Sequence, residues 1–129
     1  MKSEIKNARD IMNKSIISVD KGDTIRSAIK MMVHGEFGAV VVKEKDYPIG
    51  ILTERDILKS IANEEMNPEV KVEKIMSTPL ISVESSASIG EAAEIMLTNN
   101  IRRLLVKEKD EYVGIISQRE LQRFITESR

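Results

Sequence analysis

The sequence predicts a mixed α/β fold made of two copies of one β-α-β-β-α unit. The first observation behind this prediction is self-similarity: a shift of 64 residues places Ile17-Ser18-Val19 on Ile81-Ser82-Val83. The second is that the shift matches residues 8–61 to residues 72–125 without a gap. The third is that both copies change between helical and strand patterns in the same order. Chance does not produce a gapless register of this length.

Each copy is predicted to open with a short strand, at residues 16–19 and 80–83, because these apolar runs are too brief for a helix. A helix follows. Its start is marked by Thr24 in the first copy and by Ser88 in the second, where Glu91 completes a capping-box pattern. Apolar residues then recur at helical spacing, which predicts one buried face.

Two more strands follow each helix, at residues 38–42 and 49–52 and at residues 104–106 and 113–116. The polar sequence Lys-Glu-Lys-Asp separates them in both copies, which predicts a hairpin. A closing helix with an apolar inner face completes the unit.

The domain prediction is a first motif at residues 8–62, a polar linker at 63–71 that holds Pro68, and a second motif at 72–127. A motif of about 60 residues has only a marginal core. We therefore expect the two motifs to pack face to face about a pseudo-two-fold axis as one compact module. Clefts at such a seam are places where ligands bind.

Composition restricts the function classes. The chain has no cysteine and one histidine, which excludes disulfides and thiolate sites and leaves little for a metal site, so no metal is expected. A net charge of -1 and 3% aromatic residues do not favour nucleic-acid binding. No apolar run approaches the ~20 residues needed to span a membrane. The opening residues lack a secretory signal, so a cytoplasmic location is expected.

The pattern resembles the CBS domain, named after cystathionine β-synthase, over nearly the whole chain. The residues that carry the resemblance are the Ile-Met opening, Ile-Ser-Val, and Gly-Ile-Leu-Thr-Glu-Arg-Asp at 50–56, which is matched by Gly-Ile-Ile-Ser-Gln-Arg-Glu at 114–120. The resemblance implies a stand-alone tandem CBS protein, a Bateman-type module that is often a homodimer. It also implies an adenosine-containing ligand in the clefts between motifs and the regulation of a separate protein.

Thr53-x-x-Asp56 is the strongest candidate for ligand contact. It lies where a strand ends and a helix begins, so backbone N–H groups and the helix dipole favour a phosphate there. Asp56 is able to accept hydrogen bonds from both hydroxyls of a ribose. In the CBS family these two positions contact the sugar and phosphate of a nucleoside. The alternative is that Thr53 and Asp56 only cap the helix.

The matching residues of the second copy, Ser117 and Glu120, form a literal capping box. The glutamate departs from the aspartate of the family and is one methylene longer. It either reaches a ribose or folds back onto the start of its own helix, so this second site is expected to be weaker or empty.

Arg102 and Arg103 match a basic position that meets phosphates in the family, and a guanidinium binds phosphate oxygens bidentately. Adjacent side chains of a strand point to opposite faces, so one of the two is expected to line a cleft. The first copy has Gly38 and Ala39 at this place, which leaves room for an adenine ring. An arginine of copy two is therefore expected to contact a nucleotide held by Asp56. The alternative is that both arginines are solvated.

By resemblance, the residue pairs that precede the first strand of each copy border an adenine. These pairs are Ser15-Ile16 and Pro79-Leu80. The alternative for Ile16 and Leu80 is ordinary core packing.

Together these features predict a regulatory module, not an enzyme, that requires no cofactor and senses AMP, ADP, ATP or S-adenosylmethionine. The expected partners are this small molecule, a second copy of the chain and an unknown regulated protein, without membrane contact. The alternatives are a ligand-independent interaction or dimerisation protein and, less favoured by charge, a nucleic-acid-binding protein. An enzyme is disfavoured because no histidine, cysteine or phosphate-binding glycine loop accompanies the candidate acids.

Overall fold

The computed structural model describes residues 5–127. The first repeat contains α1 (Ala8–Ile11), β1 (Ser18–Asp20), α2 (Ile25–Gly35), β2 (Ala39–Glu44), β3 (Tyr47–Thr53) and α3 (Glu54–Ala62). A 3₁₀ turn at Val72–Lys74 opens the second repeat, which continues with β4 (Ser82–Glu84), α4 (Ile89–Thr98), β5 (Arg103–Glu108), β6 (Glu111–Ser117) and α5 (Gln118–Glu127). The predicted mixed α/β fold and its β-α-β-β-α order are confirmed in both copies. Residues 1–4, which belong to the opening segment predicted to lack a secretory signal, lie outside the described range.

Each repeat supplies one three-stranded sheet, in the order β1-β2-β3 and β4-β5-β6. The first strand of each sheet is parallel to the second, and a helix makes the crossover between them; the second and third form an antiparallel hairpin. The first strands are shorter and begin later than predicted, at Ser18 and Ser82. The reason is the register, because pairing with the central strand begins only at Ser18 opposite Val41 and at Ser82 opposite Leu105.

Each sheet has its own apolar core on which a helix packs. The first core includes the buried side chains of Val19, Ile25, Ala28, Met32, Val40, Val42, Leu52 and Val72. The second includes those of Ala8, Val83, Ala92, Met96, Leu104, Val106 and Ile116. Ala8 belongs to the first repeat but lies in the second core, and Val72 belongs to the second repeat but lies in the first.

This exchange divides the chain into two compact units that differ from the sequence repeats. One unit consists of residues 17–80, and the described part of the other combines residues 5–16 with 81–127. We call residues 5–16 and 69–80 the leading segments of the two repeats. Val72 N–H donates to the carbonyl of Asp23 over 2.9 Å, and at the matching place Ala8 N–H donates to the carbonyl of Ala87 over 2.8 Å. Each leading segment therefore pairs with the sheet-to-helix turn of the other repeat.

The predicted linker is fixed on the start of α2. The carbonyls of Pro68 and Val70 accept hydrogen bonds from the backbone N–H groups of Arg26 and Ile25, both over 2.8 Å. The first-turn N–H groups of a helix have no partner within the helix, so the linker satisfies them. An ion pair between Arg26 and Glu69, with Nε and Oε1 2.6 Å apart, adds a surface contact.

The helix α2 ends at Glu36 in the left-handed conformation, with φ of 58°, and Phe37 N–H donates to the carbonyl of Met32 over 2.9 Å. The second repeat has the same ending at Asn100, with φ of 51°. A side chain with a Cβ is strained in this conformation, whereas asparagine tolerates it and glycine has no penalty.

We expect Glu36→Gly to raise the free energy of unfolding by about 0.5–1 kcal/mol, because it removes this strain. Asn100→Gly is the matched control and should give a smaller gain. Urea denaturation followed by circular dichroism measures both. A loss of stability in Glu36→Gly would show that the glutamate side chain stabilises the helix end by more than its strain.

None of the helices in residues 5–127 is long and apolar enough to cross a membrane.

Candidate functional site

The candidate site begins where β3 runs directly into α3. Thr53 is the last residue of the strand and the N-cap of the helix, as the sequence predicts. Its Oγ1 accepts the backbone N–H of Asp56 over 3.3 Å, and Asp56 Oδ2 accepts the backbone N–H of Thr53 over 2.8 Å. This capping box holds the carboxylate of Asp56 at the edge of the sheet.

The two carboxylate oxygens of Asp56 have different partners. Oδ2 accepts a second hydrogen bond, from Thr53 Oγ1 over 3.0 Å. Oδ1 accepts a short hydrogen bond of 2.6 Å from Oγ of Ser77. Asp56 is half-buried, and its hydrogen bond with Ser77 lies at the exposed surface. The capping role and an open acceptor therefore coexist in one side chain.

Ser77 was not predicted as a site residue. It reaches Asp56 because its leading segment lies beside β3: Ser77 N–H donates to the carbonyl of Ile51 over 2.8 Å, and Ile51 N–H donates back over 3.1 Å. The neighbouring Met76 covers Gly50 so closely that a Cβ built on Gly50 would lie 2.6 Å from the methionine sulfur. Small polar residues at matching positions, Ser77 and Asn13, were the available signal, but the sequence does not show what these residues contact.

The start of α3 offers fewer free N–H groups to a phosphate than the sequence predicted. The N–H of Glu54 donates to the carbonyl of Gly38 over 3.1 Å, and that of Asp56 is used by Thr53. Two of the N–H groups at the start of this helix are therefore already used by acceptors within the protein.

The equivalent place in the second repeat is closed by its glutamate. Glu120 Oε1 accepts hydrogen bonds from the backbone N–H of Ser117, over 2.7 Å, and from its Oγ, over 2.6 Å. Only 6% of Glu120 is exposed. Of the two alternatives for this residue, the structure has the one in which it folds back onto its own helix. Asn13, at the position of Ser77, pairs with the backbone of Ile115 and accepts the N–H of Ser15 on its side chain.

The structure sorts the predicted site residues between the two units. The unit of residues 17–80 contains Thr53, Asp56, Gly38, Ala39, Pro79 and Leu80, and the other contains Ser117, Glu120, Arg102, Arg103, Ser15 and Ile16. Ala39 lies opposite Thr53 in the sheet, and Arg103 lies opposite Ser117. Asp56 and the two arginines belong to different units. The expectation that an arginine contacts a nucleotide held by Asp56 stays a prediction.

The remaining site residues differ in exposure. Arg102 is exposed just before β5, and Arg103, the first residue of this strand, is half-buried; the expectation that one of the two lines a cleft stays a prediction. Ile16 and Leu80 are half-buried, whereas Ser15 and Pro79 are exposed. Among residues 5–127 no group of three or more acidic, histidine or cysteine side chains is arranged to hold a metal ion.

These features define a class of protein, the tandem CBS module. The CBS domain family matches the chain twice, at residues 8–63 and 72–127, and the chain belongs to this family.

Two relatives illustrate the match. An uncharacterised protein of Methanopyrus kandleri is 36% identical over 115 residues, which cover 87% of this chain and 59% of that protein. The CBS domain-containing protein YhcV of Bacillus subtilis is 30% identical over 111 residues, which cover 86% of this chain and 79% of that protein. The chain thus spans less than two thirds of the Methanopyrus protein.

The fold is shared with a solved structure, the CBS domain pair of protein MJ0100 in complex with 5′-methylthioadenosine and S-adenosyl-L-methionine. The TM-score is 0.86 at 22% identity, and the match covers 98% of this chain and 100% of that chain.

Proposed function

We propose that the chain is a regulatory ligand-binding module that senses an adenosine-containing molecule. The observation that carries the proposal is the carboxylate of the half-buried Asp56, which the junction of β3 and α3 holds in place and whose Oδ1 accepts a hydrogen bond from the exposed Ser77. A fixed carboxylate binds the vicinal hydroxyls of a ribose through charge-assisted hydrogen bonds, each contributing roughly 1.5–3 kcal/mol.

The ligand class follows from the part of the molecule that Asp56 would hold. AMP, ADP, ATP and S-adenosylmethionine share an adenosine ribose with both hydroxyls free. The MJ0100 pair, which has the same fold, was solved with two adenosyl compounds. Since two N–H groups at the start of α3 are already used, we place the ribose, and not a phosphate, at the centre of recognition.

We further propose that binding changes the packing of the protein and so acts on a separate regulated protein. A ligand shifts such an equilibrium only if it binds two conformations with unequal affinity. A homodimer is part of this proposal, because apolar side chains on α3 remain exposed, Leu58 at 64% and Ile61 at 53%. Ile125 of α5, at the position that matches Ile61, is 61% exposed as well.

A ligand-independent interaction protein is the second candidate, and the same exposed apolar residues favour it. The two functions differ in a single respect, which is whether the binding of an adenosyl compound changes the packing of the protein. Nucleic-acid binding lacks comparable support, because the net charge is -1 and aromatic residues are 3% of the chain.

Calorimetric titration of the purified, ligand-free protein with AMP, ATP and S-adenosylmethionine tests the proposal. We expect saturable binding at one ligand per chain, because Asp56 is accessible whereas Glu120 is buried on its own helix. Light scattering with and without AMP shows whether the oligomeric state responds. If the folded protein binds none of the three compounds, the sensor function is wrong and the interaction function takes its place. Two equal sites per chain would contradict the closed state of the Glu120 site.

A further inference from the structure

We propose that Ser77 is an internal competitor for the ribose diol and thereby sets how strongly the site distinguishes ribose from deoxyribose. This inference rests on the proposed function, because it concerns the same carboxylate. It follows from the number of hydrogen bonds that Asp56 already accepts.

An ionised carboxylate has about four positions for hydrogen-bond donors, two on each oxygen. On Asp56, both positions of Oδ2 are filled by Thr53, through its N–H at 2.8 Å and its Oγ1 at 3.0 Å. Ser77 Oγ fills one position of Oδ1 at 2.6 Å. One position remains. A vicinal diol that binds with both hydroxyls requires two, so one internal donor has to leave.

Ser77 is the donor that leaves at the lowest cost. The two donors of Thr53 belong to the capping box, and losing them would leave the start of α3 without its cap. Ser77 is exposed, and its backbone is held by the two hydrogen bonds to Ile51 whatever its side chain does. Rotation about χ1 therefore releases the Ser77 hydroxyl to water without moving the chain.

The consequence is a difference between ligands with two hydroxyls and with one. A ribose displaces Ser77 and so replaces one hydrogen bond of the carboxylate by another, which reduces the net gain. A 2′-deoxyribose uses the single open position of Oδ1 and displaces nothing. Ser77 thus lowers the affinity for the ribose selectively and reduces its advantage over deoxyribose.

The test is calorimetric titration of the wild type, Ser77→Ala and Ser77→Thr with AMP and with 2′-deoxy-AMP. We expect Ser77→Ala to bind AMP about tenfold more tightly, since a hydrogen bond to a charged group no longer has to be broken. Its affinity for 2′-deoxy-AMP should stay within about twofold of the wild type. Ser77→Thr keeps the hydroxyl and should resemble the wild type, and Asn13→Ala, in the other unit, should change neither affinity.

Three outcomes would overturn the inference. Weaker AMP binding by Ser77→Ala would mean that Ser77 donates to the ligand. An equal change for both nucleotides would mean that its effect does not concern the second hydroxyl. If the wild type binds and Ser77→Ala has the same two affinities, Ser77 has no role and the proposed function is left intact. A wild type that binds neither nucleotide would overturn both the inference and the proposed function.

Discussion

Asp56→Ala is expected to weaken AMP binding about 100-fold, whereas Glu120→Ala, at the matching position of the second repeat, should leave AMP affinity unchanged. The first substitution removes the acceptor of both ribose hydroxyls, and two hydrogen bonds to a charged group account for a loss of this size even after the displacement of Ser77 is allowed for. The second removes the carboxylate of Glu120, a residue of which 6% is exposed, and this carboxylate accepts its hydrogen bonds from Ser117.

The two variants form a matched pair because both lose the acidic member of a capping box. We expect the order of their effects on stability to be the reverse of the order for binding. Glu120→Ala removes a buried side chain and leaves the backbone N–H and hydroxyl of the half-buried Ser117 without their acceptor, which costs about 1–3 kcal/mol. Asp56→Ala should cost less stability than Glu120→Ala, because Asp56 is half-buried whereas Glu120 is buried, so water more readily replaces the lost carboxylate as an acceptor.

Calorimetry for affinity and urea denaturation for stability measure the two effects on the same samples. Asp56→Asn is a useful third variant, since an amide oxygen still caps the helix but carries no charge. Equal loss of AMP affinity in Asp56→Ala and Glu120→Ala would show that both substitutions act through the fold and would remove Asp56 as the ligand anchor.

Gly114→Ala should lower the free energy of unfolding by about 2–3 kcal/mol. A Cβ built on Gly114 would collide with Sδ of Met12 and would lie 2.7 Å from its Cγ and 3.0 Å from its Cβ. Since Met12 Cβ is anchored to the backbone, the leading segment itself has to move, and forcing extra volume into packed surroundings costs energy of this order. No described glycine has a positive φ, so close approach, and not backbone conformation, explains the glycine at this position.

Met12→Ala supplies the control. It should cost stability alone, but the double variant Met12→Ala, Gly114→Ala should be more stable than the sum of the two changes predicts, because the truncated side chain makes room for the new methyl group. Gly50→Ala is the matched substitution in the other unit. It should cost less, because the nearest atom there is the flexible end of Met76, although the carbonyl of Ser77 at 3.1 Å limits the adjustment. Additive effects in the double variant would show that Met12 is not the source of the strain.

Much of the fold was predictable because the repeat makes each element visible twice. The hairpins, the helix starts at Thr24 and Ser88, and the position of Thr53 as an N-cap all follow from local residue types. The first strands were placed too early because Ile16 and Leu80 are apolar like the strand residues that follow them. Ile16 and Leu80 lie outside the strands because pairing with β2 and β5 begins after them, and no local pattern encodes this pairing.

The candidate site was predicted in part. The type and spacing of Thr53 and Asp56 indicated both a cap and a ligand contact, and the cap is what the structure describes directly. Ser77 was missed because it is 21 residues from Asp56 in the chain and its contact depends on the leading segment lying beside β3. A gapless repeat fits equally well whether each leading segment packs on its own sheet or on that of the other copy.

The exchange of leading segments also bears on how the chain folds. Val72 fills the core beside β1 and β2, and Ala8 fills the core beside β4 and β5. A single repeat expressed on its own would therefore lack a residue that completes its core, so the two halves of the chain depend on each other for folding. The same interdependence brings Asp56 of one repeat to Ser77 of the other.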